Sequence, residues 1–189
     1  MTPPRLPGRT LVVLAEDLYE DLELWYPVLR FREEGARVVI AGPDMKSYHG
    51  KHGYPAMVET SVHTDELRKC DGVIIPGGYA PDRLRRHPQV LALVRDLFLE
   101  GKVVASICHA AWVLISSGII RERNVTCHYA VKDDVVNAGG RYLDAEVVRD
   151  GKLITSRQPS DLGSFCREII AVLEVSKAVS TEAQEARAM

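Results

Sequence analysis

The sequence predicts a doubly wound α/β fold, a mostly parallel sheet with helices on both faces. Three observations carry this. Short continuous apolar runs at 10–15, 37–41, 71–76 and 103–107 read as strands buried on both faces. Segments of helical periodicity separate them, which is the alternation of a parallel sheet. A chain of 189 residues, 46% hydrophobic and 26% charged, has ordinary globular composition and most simply forms one domain.

Residues 1–9 carry three prolines and no apolar run, and are expected to be a disordered lead-in. The domain is expected over 10–177. After the first strand comes an acidic loop, residues 16–21, then a helix near 22–34 with Leu22, Trp25, Val28 and Leu29 inward and Gly35 ending it. Pro27 must lie near its first turn or kink it. Residues 42–63 break the rhythm with Gly42-Pro43, His49-Gly50 and His52-Gly53, and 54–60 reads as a short strand. A helical turn at 65–69 precedes the 71–76 strand, which ends in Gly77-Gly78. A helix near 88–100 leads to the 103–107 strand and a helix that stops at Gly118. Then come a strand near 124–128, a short helix near 131–138, and two strands flanking Asp150-Gly151, a hairpin signal. A last helix over about 160–177, with Ser160 as cap, leaves a frayed tail at 178–189.

The formal net charge of −2 gives no footprint for nucleic acid or an anionic membrane. No apolar run reaches the roughly 18 residues of a membrane span, and the N-terminus lacks the apolar core of an export signal. A cytoplasmic setting is therefore expected. The four cysteines, Cys70, Cys108, Cys127 and Cys166, are scattered without metal-ligand spacing, so free thiols, no metal and no cofactor are expected.

Cys108 stands where the 103–107 strand meets its helix. Small residues flank it at Ser106 and Ala110, the pattern of a nucleophile elbow with cysteine in place of serine. The free N–H groups and dipole of a helix start favour a thiolate. His109 follows as a candidate base or ion-pair partner. Burial as a structural cysteine is the competing reading. In a doubly wound sheet the site lies beyond the carboxyl ends of the strands, where residues 16–21, Gly77-Gly78 and Cys108-His109 all arrive.

The segments 18–27, 50–54, 76–82, 105–109, 132–139 and 155–162 closely resemble the ThiJ/PfpI family. The similarity is to its PfpI-type intracellular protease branch, within the superfamily of the parkinsonism-associated deglycase. The motifs fall in the same order across about residues 10–175. The resemblance implies a flavodoxin-like sandwich, related to class I glutamine amidotransferases, with Cys108 as nucleophile. It implies that Glu20 is the carboxyl hydrogen-bonded to the sulfur, and that the N–H groups of Gly78 and His109 form an oxyanion hole. It also implies that Asp82 completes a Cys-His-acid arrangement from a neighbouring subunit of a dimer or hexamer. Asp82 is one methylene shorter than the glutamate of the type protease. Ala110-Ala111 stand where Gly-Pro is common, followed by Trp112. Trp112, Tyr129, His128 and Arg157 are candidate pocket residues. Packing competes as an explanation for the aromatic and histidine side chains, and a surface salt bridge for Arg157.

The implied activity is a cysteine-dependent hydrolase of methylglyoxal, small carbonyl compounds or early glycation adducts of proteins, in stress protection. Intracellular peptidase activity on peptides is the alternative, and a redox-sensing stress protein or holdase chaperone is the alternative of another class. Glutamine amidotransfer is excluded, because no His-x-Glu follows His109. Dinucleotide binding is excluded, because the first strand-to-helix turn has no Gly-x-Gly-x-x-Gly.

Overall fold

The computed structural model describes residues 3–188, with side chains through 175. The first strand, β1 (Thr10–Leu14), is apolar on both faces. Leu11, Val12, Val13 and Leu14 are each fully buried, and burial of one such side chain contributes roughly 1.5–3 kcal/mol. Helix α1 (Asp21–Glu33) crosses to β2 (Arg37–Gly42), with Gly35 at φ +82° ending the helix. An excursion follows through β3 (Ser47–His49), β4 (Pro55–Met57) and β5 (Thr60–Ser61). The chain then returns through β6 (Gly72–Ile75), α2 (Ala80–Leu84), α3 (Pro88–Leu99) and β7 (Val103–Ile107). After α4 (Ala111–Ser116), Gly118 takes φ +73°. The last part comprises β8 (Asn124–Val125), α5 (Lys132–Asn137), β9 (Arg141–Tyr142), β10 (Val147–Asp150), β11 (Leu153–Ser156) and α6 (Leu162–Ala188).

Among the described residues one seven-stranded sheet runs β10-β11-β7-β6-β1-β2-β5. All its pairs are parallel except β10 with β11. Helices α1 and α6 pack together against one face, and α3 and α4 against the other. The chain leaves β1 toward β2 and returns on the other side at β6, so the order reverses between β1 and β6. A crevice opens at such a reversal, beyond the strand ends. The expected doubly wound, flavodoxin-like sheet is the one observed.

Four local expectations change. Residues 3–9 are not loose. Leu6 is buried, its N–H donates to the carbonyl of Glu34 at 2.7 Å, and Arg9 pairs with Asp71 at 2.7 Å. One apolar side chain and two ion pairs, the second between Arg5 and Glu174, anchor this segment. The hairpin loop is Gly151-Lys152, because Asp150 pairs with Leu153 inside the ladder. Helix α6 begins at Leu162, after a single turn over Pro159–Asp161 that contains Ser160. Its helical backbone continues past residue 177. The expected frayed tail at 178–189 lies outside the described side chains, and Met189, like Met1 and Thr2, outside the described residues altogether.

The fourth change is the phase of α1. Glu23, Leu24, Pro27, Val28 and Phe31 face the core, while Leu22 and Leu29 are 58% and 61% exposed. Pro27 lies well inside the helix and leaves the carbonyl of Glu23 without its i+4 partner. No described helix is long and apolar enough to cross a membrane.

Candidate active site

Strand β7 delivers Cys108 to the crevice in a left-handed conformation, φ +63°, before one tight turn enters α4. A non-glycine residue there costs about 1–2 kcal/mol, and this turn lifts the side chain out of the sheet plane. Ser106 and Ala110, both buried, provide the close packing the turn needs. Strand β6 delivers Gly77-Gly78 alongside. A Cβ on Gly77 would lie 2.7 Å from Cys108 Cβ and 2.6 Å from Glu23 Oε2. Glycine is what lets the thiol and this carboxyl both reach the same backbone. Gly78, at φ +78°, faces the backbone of Leu18 and Glu20 just as closely.

The β1–α1 loop is stitched to both neighbours. Tyr79 N–H donates to Leu18 O, Glu20 N–H to Gly77 O, and Lys51 N–H to Tyr19 O. Tyr19 is fully buried and bridges Gly50 on one side and Gly78 on the other. Three chain segments are thereby locked around one sulfur.

The carboxyl next to that sulfur belongs to Glu23, not Glu20. Glu23 is fully buried, its Oε2 accepts the Gly77 N–H at 2.8 Å, and its other oxygen has no hydrogen-bond partner of good geometry. Glu20, at the N-cap of α1, instead pairs with Lys51 Nζ at 2.8 Å. The correction follows from the helix phase: position 20 precedes the first turn and points to the rim, while position 23 lies on the buried stripe.

Burial pushes the Glu23 carboxyl up to about 8, more than the Gly77 N–H and Lys51 pull it down. At neutral pH it therefore keeps its proton and can act as a donor. Burial also pushes the Cys108 thiol up to about 12, with the charge of an ionised Glu23 as second cause and the N–H groups of His109 and Gly78 opposing. A protonated Glu23 removes that second cause. The expected lowering by a helix start is outweighed, because the thiol is only 7% exposed and α4 is short. The two opposing N–H groups are those expected of an oxyanion hole, and both are directed at the sulfur.

His109 Nδ1 lies 3.1 Å from Cys108 Sγ. Burial, then the charges of His128 and Lys51, hold the His109 pKa below the ordinary imidazole value. A neutral ring at hydrogen-bond distance from a protonated thiol can accept its proton. The ring also stacks on His128, with centroids 4.7 Å apart, and meets Trp112 edge-on.

A cavity of about 270 Å³ opens over these groups, lined by Glu20, Glu23, Lys51, Cys108, His109 and His128 together with Gly78, Tyr79, Gln158 and Pro159. Among the other expected pocket residues, Trp112 backs His109 and donates to Asp134 at 2.8 Å, Tyr129 is 77% exposed, and Arg157 is clipped to Asp161 and Asp144. None of the three lines the cavity. Asp82 pairs with Arg86 and does not line the cavity of its own chain. Lys51, Gln158 and Pro159 were not foreseen. Their signal was present in segments 50–54 and 155–162.

A larger apolar groove of about 590 Å³ lies on the other side of the 50–54 loop, between Leu22, Trp25, Leu29 and Tyr54. It contains no thiol, so the smaller cavity, which holds Cys108, is the candidate site. Among the described residues Glu20, Asp21 and His52 could together hold a metal ion. Their carboxylates are already engaged, Glu20 by Lys51 and Asp21 by the N–H groups of His52 and Tyr54.

Comparison with known proteins agrees with this geometry. Residues 9–172 match the model of the DJ-1/PfpI family. The chain is 41% identical to the deglycase PH1704 of Pyrococcus horikoshii over 164 residues, 87% of this chain and 99% of that protein. It is 33% identical to YraA of Bacillus subtilis, provisionally named a cysteine protease, over 88% of this chain and 99% of that one. The fold superposes with a TM-score of 0.86 and 36% identity on a two-domain protein of Anabaena variabilis with DJ-1/ThiJ/PfpI-like and ferritin-like domains. That match covers 88% of this chain and 48% of the longer one. The elbow cysteine, the crevice and the matched length lead to one conclusion: the chain belongs to the DJ-1/PfpI family.

Proposed function

We propose that the protein is a cysteine-nucleophile hydrolase acting on methylglyoxal or on early glycation adducts of proteins. The observation that carries this is the thiol of Cys108, held at φ +63° with a neutral imidazole 3.1 Å from its sulfur and two backbone N–H groups beside it. The cavity of about 270 Å³ is slightly smaller than the roughly 300–1,000 Å³ of drug-sized ligand sites, which favours a small carbonyl over an extended peptide.

The steps follow from these groups. The sulfur of Cys108 attacks the aldehyde carbon, the S–H proton passes to His109, and the carbonyl π pair moves onto oxygen beside the N–H groups of Gly78 and His109. Protonation of that oxygen gives a thiohemiacetal. Proton transfer from the first carbon to the second, through an enediol, converts it to a lactoyl thioester. Water then cleaves the C–S bond, returning the proton to the thiolate and releasing lactate. In an early glycation adduct the amine nitrogen sits on the former aldehyde carbon; the sulfur forms its C–S bond there as the C–N bond breaks, the amine leaves with the thiol proton carried by His109, and the same thiohemiacetal results. Protonated Glu23 supplies a hydrogen bond to sulfur whenever it carries negative charge.

The relative named a deglycase supports this reading. Intracellular peptidase activity is the second reading, favoured by the cysteine-protease name of YraA. We also propose that the chain works as a homo-oligomer in the cytoplasm, with the partner subunit's Asp82 orienting His109. Light scattering of wild type, and activity of Asp82→Asn, test that part. Methylglyoxal consumption with lactate formation tests the chemistry. Wild type should be active and both Cys108→Ser and His109→Ala inactive, whereas an inert wild type that cleaves peptides would favour the peptidase.

A further inference from the structure

Two histidines from different elements meet face to face in the cavity. His109 follows the elbow and His128 follows β8, and their rings stack with centroids 4.7 Å and planes 25° apart. In near-parallel rings each N–H lies in its own plane, so neither is aimed at the other ring and no proton passes directly between them. His128 is itself held in place. Its Nδ1 accepts the N–H of Ala130 at 3.2 Å, which puts its own proton on Nε2. Its backbone N–H donates to the carbonyl of Cys108 at 3.2 Å, tying the elbow residue to the same turn. Trp112 packs edge-on against His109 at 5.4 Å. Between these two aromatic contacts, Nδ1 of His109 lies 3.1 Å from the sulfur.

We infer that His128 is a positioning residue: its imidazole holds the His109 ring in the plane that aims Nδ1 at the thiol. This rests on the cysteine–histidine reading above. The role is one of stacking, not of proton relay. The titratable groups around His109 are Cys108 on its own turn, Lys51 from the β3–β4 loop, Glu20 and Glu23 at the start of α1, and His128. Glu20 is neutralised by Lys51 at 2.8 Å, and Glu23 holds its proton at neutral pH. Burial first, then the neighbouring His128 and Lys51, keep the His109 pKa below the ordinary imidazole value.

The test compares His128→Ala, which removes the ring, with His128→Phe, which keeps a stacking ring and removes the ring nitrogens. Both keep the main-chain bond to Cys108, and circular dichroism checks that both fold. Three readouts are taken: lactate formation, the rate of Cys108 alkylation by iodoacetamide against pH, and the NMR titration of the His109 ring. In His128→Ala, kcat and alkylation near neutral pH should fall about ten- to a hundredfold with KM little changed, and His128→Phe should recover most of that loss. In His128→Phe the His109 titration should move up. Alkylation and titration unchanged in both variants would overturn the inference. If wild type makes no lactate while the alkylation order holds, the carbonyl reading fails and the positioning role stands.

Discussion

Glu23 accepts the N–H of Gly77 at 2.8 Å from inside the first turn of α1, and the same side chain faces the sulfur of Cys108. One buried carboxyl thereby connects the end of β6 to the thiol at the end of β7. The charge beside that thiol depends on its protonation.

That dependence has a sign. Burial raises the Glu23 pKa from 4.5 unfolded to about 8 folded. Below 4.5 both states hold the proton. Between 4.5 and 8 only the folded state holds it, so its contribution to stability is full in acid and is lost as pH rises through 8. Wild type should lose a few kcal/mol more than Glu23→Gln between pH 5 and pH 9, as measured by urea denaturation of both proteins. Parallel pH profiles would place the buried proton elsewhere.

Glu23→Gln and Glu20→Gln should also separate in activity. The first changes the group at the sulfur and should lower kcat about tenfold or more. The second breaks only a rim ion pair with Lys51 and should cost less than threefold, in line with the small worth of part-exposed pairs. Steady-state kinetics of the two variants decides this, and the reverse order would return the role to Glu20.

Strain at the elbow is measurable apart from chemistry. Cys108 sits at φ +63°, where glycine is comfortable and alanine is not. Cys108→Gly should therefore be about 1 kcal/mol more stable than Cys108→Ala, read from thermal or urea unfolding. Equal stability would mean that the left-handed turn stores no strain.

Gly78→Ala carries the opposite expectation. The added Cβ would lie 2.5 Å from both Glu20 N and Leu18 O, at φ +78°. The loop must shift, so the variant should lose about 2 kcal/mol or more, together with most of its activity. A stable and active Gly78→Ala would remove that N–H from the oxyanion hole.

Much of this was legible in the chain. Strands buried on both faces are unbroken apolar runs, so β1, β2, β6 and β7 could be placed from composition alone. Cys108 could be placed because small residues on both sides of a strand-to-helix junction leave few alternatives. The carboxyl could not, because Glu20 and Glu23 lie one helical turn apart in an acidic run. Only the phase of α1 chooses between them. Taking Leu22 and Leu29 as inward rotates the stripe and sends Glu23 to solvent; the observed stripe of Leu24, Pro27, Val28 and Phe31 carries Glu23 inward. Lys51 and Gln158 reach the cavity from two separate loops, and no local periodicity records such a meeting. The buried Leu6 lay in a proline-rich segment whose anchors, Glu34 and Asp71, are distant in sequence.

The most direct test of the central claim is to follow the mass of the intact protein within one turnover of methylglyoxal while lactate is quantified. A lactoyl adduct on Cys108 should rise and then decay as lactate appears, and should be absent from Cys108→Ser. Lactate formed by Cys108→Ser at the wild-type rate, or formed by wild type with no adduct on Cys108 at any time, would contradict that claim.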